Sequence, residues 1–255
     1  MISPQSPWRA IGAWIVGVVA GYVTAYAWHM ILGASRGELE GARLVVQCAV
    51  SAGLASLISW HHRPGLPAFA AAGGLVCSGW LRRIAPFEFW LLWNLDAIWL
   101  VGAFLLAYIS AWLVDTQLVF RTLPERPPPK QVTPRLMLTS LMPCCVVTGA
   151  GGLTVTAIWA ASGYHMPVAL VAFAFCAGAA VGVKMFPIVS TLWVTMGAVL
   201  AASAIGFLGL SGAWSASGGL PTRVWEGWTA ELFTGAGASG ALLGYWIART
   251  RRRPH

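Results

Sequence analysis

Charge is what this chain has least of. Only 9% of its 255 residues are Asp, Glu, Lys or Arg, against 58% apolar residues and a mean hydropathy of +0.71. A soluble domain of this size needs more charge than that on its surface. The charges present cluster between apolar runs too long for a soluble core, which implies a polytopic membrane protein. CxxC is absent, and Cys48, Cys77, Cys144, Cys145 and Cys176 all fall in apolar runs, which speaks against disulfides and a zinc site. The opening "MISPQSPWRA" has no Lys-rich region, and no small-residue cleavage site closes the apolar stretch after it. It reads as a retained first span rather than a removed signal. No aromatic-interleaved basic patch accompanies the net charge of +8. The basic residues sit at span ends and in the tail "ARTRRRPH", as topology signals do, so nucleic acid is not expected as a partner.

What is there is apolar sequence in helix-length runs. A helix needs roughly 20 apolar residues to cross the hydrocarbon layer, and only helices or closed barrels satisfy their backbone groups there. The runs extend from Ala10 to Leu32, Leu44 to Trp60, Leu66 to Leu81, Ile84 to Val114, Leu136 to Ala161, Met166 to Val183, Met185 to Trp214 and Leu232 to Ala248. The expected fold class is an all-α integral membrane protein of about eight transmembrane helices. The third run is short enough to be re-entrant, which leaves seven as the other count.

Lys and Arg in short loops set orientation. The linker "RTLPERPPPKQVTPR" and the Arg-rich C-terminus are expected in the cytoplasm, and the turn "ASGYHMP", with neither residue, outside. Eight spans then place both termini in the cytoplasm, in a bacterial inner (plasma) membrane. Arg82 and Arg83 fall outside, against the rule.

The Pro-rich linker divides the chain into a first four-helix half (1–120), the linker (121–135) and a second four-helix half with its basic tail (136–255). "SAGLASLISWHHRPG" and "CAGAAVGVKMFP" lie 125 residues apart by their Ala-Gly pairs, and "AAGGLV" and "TMGAVL" fall near the same offset. Four spans per half would make the repeats parallel. Glycines spaced near four residues, such as Gly17 with Gly21 and Gly178 with Gly182, point to close helix packing.

Few residues can carry chemistry. Asp96, in "LLWNLDAIWL", sits near the middle of its span, where a charge costs about 2.5 to 3.5 kcal/mol on insertion scales. It should be protonated or paired, either as a proton-coupling site or simply hydrogen-bonded to Asn94 or a neighbouring helix. Lys184, three residues before Pro187, marks a helix break: at membrane depth it neutralises an anion, at the surface it snorkels. His29 lies near the outer end of the first span, and His61 and His62 lie in a cytoplasmic turn. No third ligand stands at helical spacing from either group, so no metal is expected. Glu88 and Glu231, near span ends, read as solvated. Ser239, in "GAGASGALLG", looks like the GxSG serine of rhomboid intramembrane proteases, but no base follows it except His255 in the tail. Close packing explains its glycines better.

"TGAGGLTVTAIWAASGYHMPVAL" (148–170) resembles the glycine-rich opening of each half in the sulfite and sulfoacetate exporter family, carriers of about eight helices in two parallel four-helix repeats. Chain length, the mid-chain linker and "SLISWHHRPGLP" followed by "AAGGLV" are similar as well. The proline that usually follows the glycines is replaced near Ala157, and the first half has only "GVVAGYVTAY" where the motif should recur. The resemblance implies Gly149, Gly151 and Gly152 in a substrate site. The same segment looks like the GxGD of prepilin peptidases, and "GWLRRIAPFEFWLLW" resembles the stretch around that family's first catalytic aspartate. Gly79 and Gly152 stand where the two aspartates belong, so aspartyl chemistry is not expected.

The expected function is a carrier for a small anion, proton-coupled, not an enzyme and without a cofactor. Lys184, Gly149, Gly151, Gly152 and His29 would meet the substrate, and Asp96 with Asn94 would form the proton site. The alternative is a non-catalytic membrane subunit or assembly factor packed on a partner membrane protein or on its own copies, since 15 Trp and 29 Gly serve lipid anchoring and packing equally well. A degenerate relative of the prepilin peptidases comes third.

Overall fold

The structure, a computed structural model, describes residues 7–32, 37–58, 65–81, 137–162, 166–186, 191–210 and 228–250, with the single positions 102, 135 and 164. Among these residues the protein is all-helical, with seven α-helices and no strand. They are α1 (Pro7–Leu32), α2 (Gly37–Ile58), α3 (Leu66–Leu81), α4 (Met142–Ala161), α5 (Val168–Met185), α6 (Thr191–Leu210) and α7 (Ala230–Thr250). A π-helical turn, Met137–Leu141, leads into α4. The expected span from Ile84 to Val114 lies outside the described residues.

Prolines punctuate these helices where a missing N–H costs least. Pro7 opens α1, Pro143 sits in the first turn of α4 and Pro167 caps α5. At the other end of α5, Phe186 is extended (φ −111°, ψ 133°), because a residue ahead of a proline is pushed out of the helical region. Helix α5 therefore ends at Met185, ahead of Pro187, so Met185 closes α5 where the next span was expected to start, and α6 is described from Thr191. Helix α2 departs the other way, beginning at Gly37 rather than Leu44 and enclosing Arg43.

Three helices are long and apolar enough to cross a bilayer: α1 through Ala10–Trp28, α4 with its π turn through Leu138–Ala160, and α5 through Val168–Met185. Shorter apolar stretches run through α2, α3 and α6. Their outward faces are apolar, as lipid requires. On α1 the exposed residues Ile11, Ile15, Val19, Tyr22 and Tyr26 recur at helical spacing along one side. These features fit an integral membrane protein.

Helix α7 is the axis of the bundle. It packs on α3, α5 and α6, while α1, α2 and α3 pack on one another and α4 packs on α5 and α6. Every residue from Trp228 to Leu242 is buried. Small residues make this crowding feasible. A methyl group at Gly235 would stand 2.7 Å from the Ala72 carbonyl oxygen of α3, and one at Gly237 would stand 3.0 Å from the Ala198 side chain of α6. At Gly240 and Gly244 it would overlap the Ala172 and Cys176 carbonyl oxygens of α5. Gly17 and Gly21 likewise lie against Ala70 and Gly74, so the expectation of close packing at these glycines holds.

The same contacts give helix directions. Gly17 meets Ala70 and Gly21 meets Gly74 at a constant offset, so α1 and α3 run parallel, as do α5 and α7 through Ala172 with Gly240 and Cys176 with Gly244. Gly235 with Ala72 and Gly79 with Leu232 make α3 and α7 antiparallel, and Gly152 with Phe175 and Gly182 with Cys144 do the same for α4 and α5. Thus α1, α3 and α4 point one way, and α5 and α7 the other.

Gly240 and Gly53 should respond oppositely to alanine. Nothing lies within 4 Å of a Cβ at Gly53, so Gly53→Ala, by stiffening the unfolded chain and the helix, should add about 0.5–1 kcal/mol. Gly240→Ala must push α5 off α7 and should cost about 1–3 kcal/mol or more. Thermal melting of the two variants in detergent checks both signs.

Candidate functional site

Among the described residues, two charged side chains are buried inside this bundle. Arg43, two turns into α2, is 5% exposed, and Glu231, in the first turn of α7, is fully buried. Arg43 Nη2 donates to Glu231 Oε1 at 2.5 Å, and Ser78 Oγ, on the last turn of α3, donates to Glu231 Oε2 at 2.7 Å. Gln47, one turn beyond Arg43, closes a ring: its Oε1 accepts from Arg43 Nη1 at 2.9 Å, and its Nε2 donates to Ser78 Oγ at 3.0 Å. Helices α2 and α3 are thus joined to α7, distant in sequence, through one carboxylate. The reading of Glu231 as a solvated end residue is overturned by this burial.

Local structure sets the carboxylate in place. Thr229 Oγ1 accepts from Leu232 N at 3.1 Å, capping α7 at its start. The helix N-terminus carries partial positive charge, which favours an acid in the first turn. The Trp228 indole donates to the Met166 carbonyl at 3.1 Å, tying this end of α7 to the start of α5. On the other side, Arg43 and Gln47 are four residues apart and share a face of α2.

Three buried polar atoms among the described residues have no hydrogen-bond partner. Ser51 Oγ on α2, Thr234 Oγ1 on α7 and Trp28 Nε1 on α1 are buried without a hydrogen bond. Such atoms are uncommon in native interiors and mark places where water or a ligand belongs. Ser51 extends the series Arg43, Gln47, Ser51 by one more turn. Its Oγ and Gln47 Nε2 lie 3.0 and 3.4 Å from the Cβ position of Gly74, so both face the same part of α3. Thr234 stands one turn along α7 from Glu231.

The residues expected to bind substrate lie elsewhere. A methyl group at Gly149 would meet the Gly197 carbonyl of α6 at 2.9 Å, one at Gly151 would meet Gly178 Cα at 3.1 Å, and one at Gly152 would stand 2.5 Å from the Phe175 ring. All three glycines seat α4 on its neighbours. Lys184 is exposed on the last turn of α5, at the same end of the bundle as Arg249 on α7 and opposite to the ring. His29 is on the last turn of α1. Asp96, Asn94, His61, His62 and Glu88 lie outside the described residues. Ser239 accepts from the Trp14 indole at 3.3 Å, a helix-to-helix contact between α1 and α7. Gly79 packs on Leu232 of α7. Among the described residues no group of three His, Cys, Asp or Glu is placed to hold a metal.

Sequence reasoning missed Arg43 because it stops at the apolar boundary of α2. The signal available was the Arg43, Gln47, Ser51 spacing, a polar stripe running into an apolar run. Comparison with protein-family models, with curated proteins and with solved structures finds no match to the chain.

Breaking the pair on one side should leave the other charge buried without this ion pair. Arg43→Met and Glu231→Leu should each cost about 3–5 kcal/mol, and the double variant should recover most of that loss. A double-mutant cycle on melting temperature in detergent tests this. Additive losses would mean that the two side chains are not coupled.

Proposed function

We propose that the protein is a polytopic carrier for a small anion, of about eight spans with both termini cytoplasmic, and that its anion site is built on Arg43. The observation that carries this reading is the buried Arg43–Glu231 pair, with the unpartnered hydroxyls of Ser51 and Thr234 further along the same two helices, inside a bundle of lipid-facing helices. Ionised residues within membrane segments are expensive, and by default mark a substrate or ion pathway. Packing alone would be served as well by apolar residues of the same volume. Arg43 takes the part that the sequence suggested for Lys184, and the site moves from the glycines of α4 to the junction of α2, α3 and α7.

Helix direction supports the span count. Leu81, at the end of α3, and Met137, before α4, lie at opposite ends of the bundle, because α3 and α4 point the same way. Eight spans require that displacement. Lys184 and Arg249 share the end that the eight-span order places in the cytoplasm, where Lys and Arg accumulate.

A second reading has its own observation. The exposed apolar side of α1 and the glycine seams around α7 would equally suit a non-catalytic subunit or assembly factor resting on a partner membrane protein or a second copy.

Thermal melting in detergent separates the two. With sulfite, sulfate, sulfonates and carboxylates as a panel, an anion at about 100 times its dissociation constant should add about 2.7 kcal/mol to the folded state. The double variant Arg43→Met/Glu231→Leu should stay folded and give no shift. No shift of the wild type with any anion would sink the carrier reading and send the search to a partner protein.

A further inference from the structure

Helix α7 is apolar where it matters least and enclosed where it matters most. Among the described residues α1, α4 and α5 are long and apolar enough to cross a bilayer, and α2, α3 and α6 carry shorter apolar stretches, but α7 has neither. Its 21 residues include Glu231, Thr234, Ser239 and four glycines. A glycine has no side chain to offer lipid, and an acid within a span is costly there. Yet every residue from Trp228 to Leu242 is buried, and only Leu243, Ile247 and Arg249 are exposed among the described residues that follow.

What α7 touches resolves this conflict between hydropathy and position. Its polar groups are met by helices from the start of the chain: Arg43 and Ser78 at Glu231, and the Trp14 indole at Ser239. Its glycines are filled by neighbouring backbones and small side chains, α3 at Gly235, α6 at Gly237 and α5 at Gly240 and Gly244. Lipid supplies none of these partners. All of the helices that do supply them precede α7 in the sequence, so each is synthesised before it.

We propose that α7 holds its place across the membrane by docking into the groove of α3, α5 and α6 and not by its own hydropathy, so that the side on which the basic tail rests depends on the finished bundle. Fit and hydropathy oppose each other along this helix. Leucines in place of Gly235, Gly240 and Gly244 would suit lipid, but each would meet a main-chain carbonyl of the groove. A chain whose α7 stays outside the groove leaves the C-terminal end of that helix on the Trp228 side, opposite to the end of α5. A correctly placed tail therefore reports that α3, α5 and α6 have assembled, which makes the last described helix a checkpoint on the others.

Two variants of the full chain separate docking from hydropathy, because they change the two in opposite directions. Gly240→Leu makes α7 more apolar and drives a side chain into the Ala172 carbonyl. Leu243→Ala with Ile247→Ala makes it less apolar at exposed positions and leaves the groove untouched. With an epitope placed after His255, protease protection in right-side-out and inverted membrane vesicles gives the fraction of tails on each side. The wild-type tail should lie on one side. Gly240→Leu should raise the fraction on the other side about tenfold, as overpacking implies, and the Leu243→Ala/Ile247→Ala variant should keep the wild-type distribution. A wild-type tail divided between the two sides, unchanged or improved placement in Gly240→Leu, or misplacement in the double variant would each overturn the inference. If Gly240→Leu chains are degraded before they can be counted, the double variant decides alone, since it keeps every glycine contact of the groove.

Discussion

A carboxylate that water does not reach must be neutralised, and in this protein that single requirement ties three helices together. Glu231 sits in the first turn of a helix surrounded by protein, and its compensation comes from α2 and α3, whose residues precede it by more than 150 positions. A buried ion pair is poor evidence of stability, since its desolvation offsets much of its attraction. What it supplies is register. Moving α7 by one residue along its axis would take Glu231 about 1.5 Å along and rotate it by 100°, away from both donors.

Burial of α7 depends in turn on glycine. Membrane helices gain no hydrophobic advantage from leaving lipid, so they associate where small residues let backbones approach. Gly235, Gly237, Gly240 and Gly244 open α7 towards α3, α6 and α5 in turn, and no face remains for lipid along its first three turns. The polar site follows from the apolar packing: only a helix enclosed in this way can bring a charged residue into the interior and find partners on several sides. The glycines of α4 serve the same packing, and for that reason their backbones are covered by Gly197, Gly178 and Phe175.

The sequence by itself determined the membrane class, the helical fold and most helix limits, because long apolar runs leave the backbone no other way to satisfy its hydrogen bonds. Leu66–Leu81 as a helix and the end of α5 ahead of Pro187 were legible in the same way, through hydropathy and the steric rule at proline. The glycine spacing announced close packing, though not which helix each glycine would meet. Only the tertiary structure decided where the charges go. Arg43 reads as the polar flank of a span and Glu231 as the acidic start of another, and nothing local distinguishes them from solvated ends. Their meaning arises when α7 becomes the buried axis, since enclosure removes water from both residues and joins them in one ion pair.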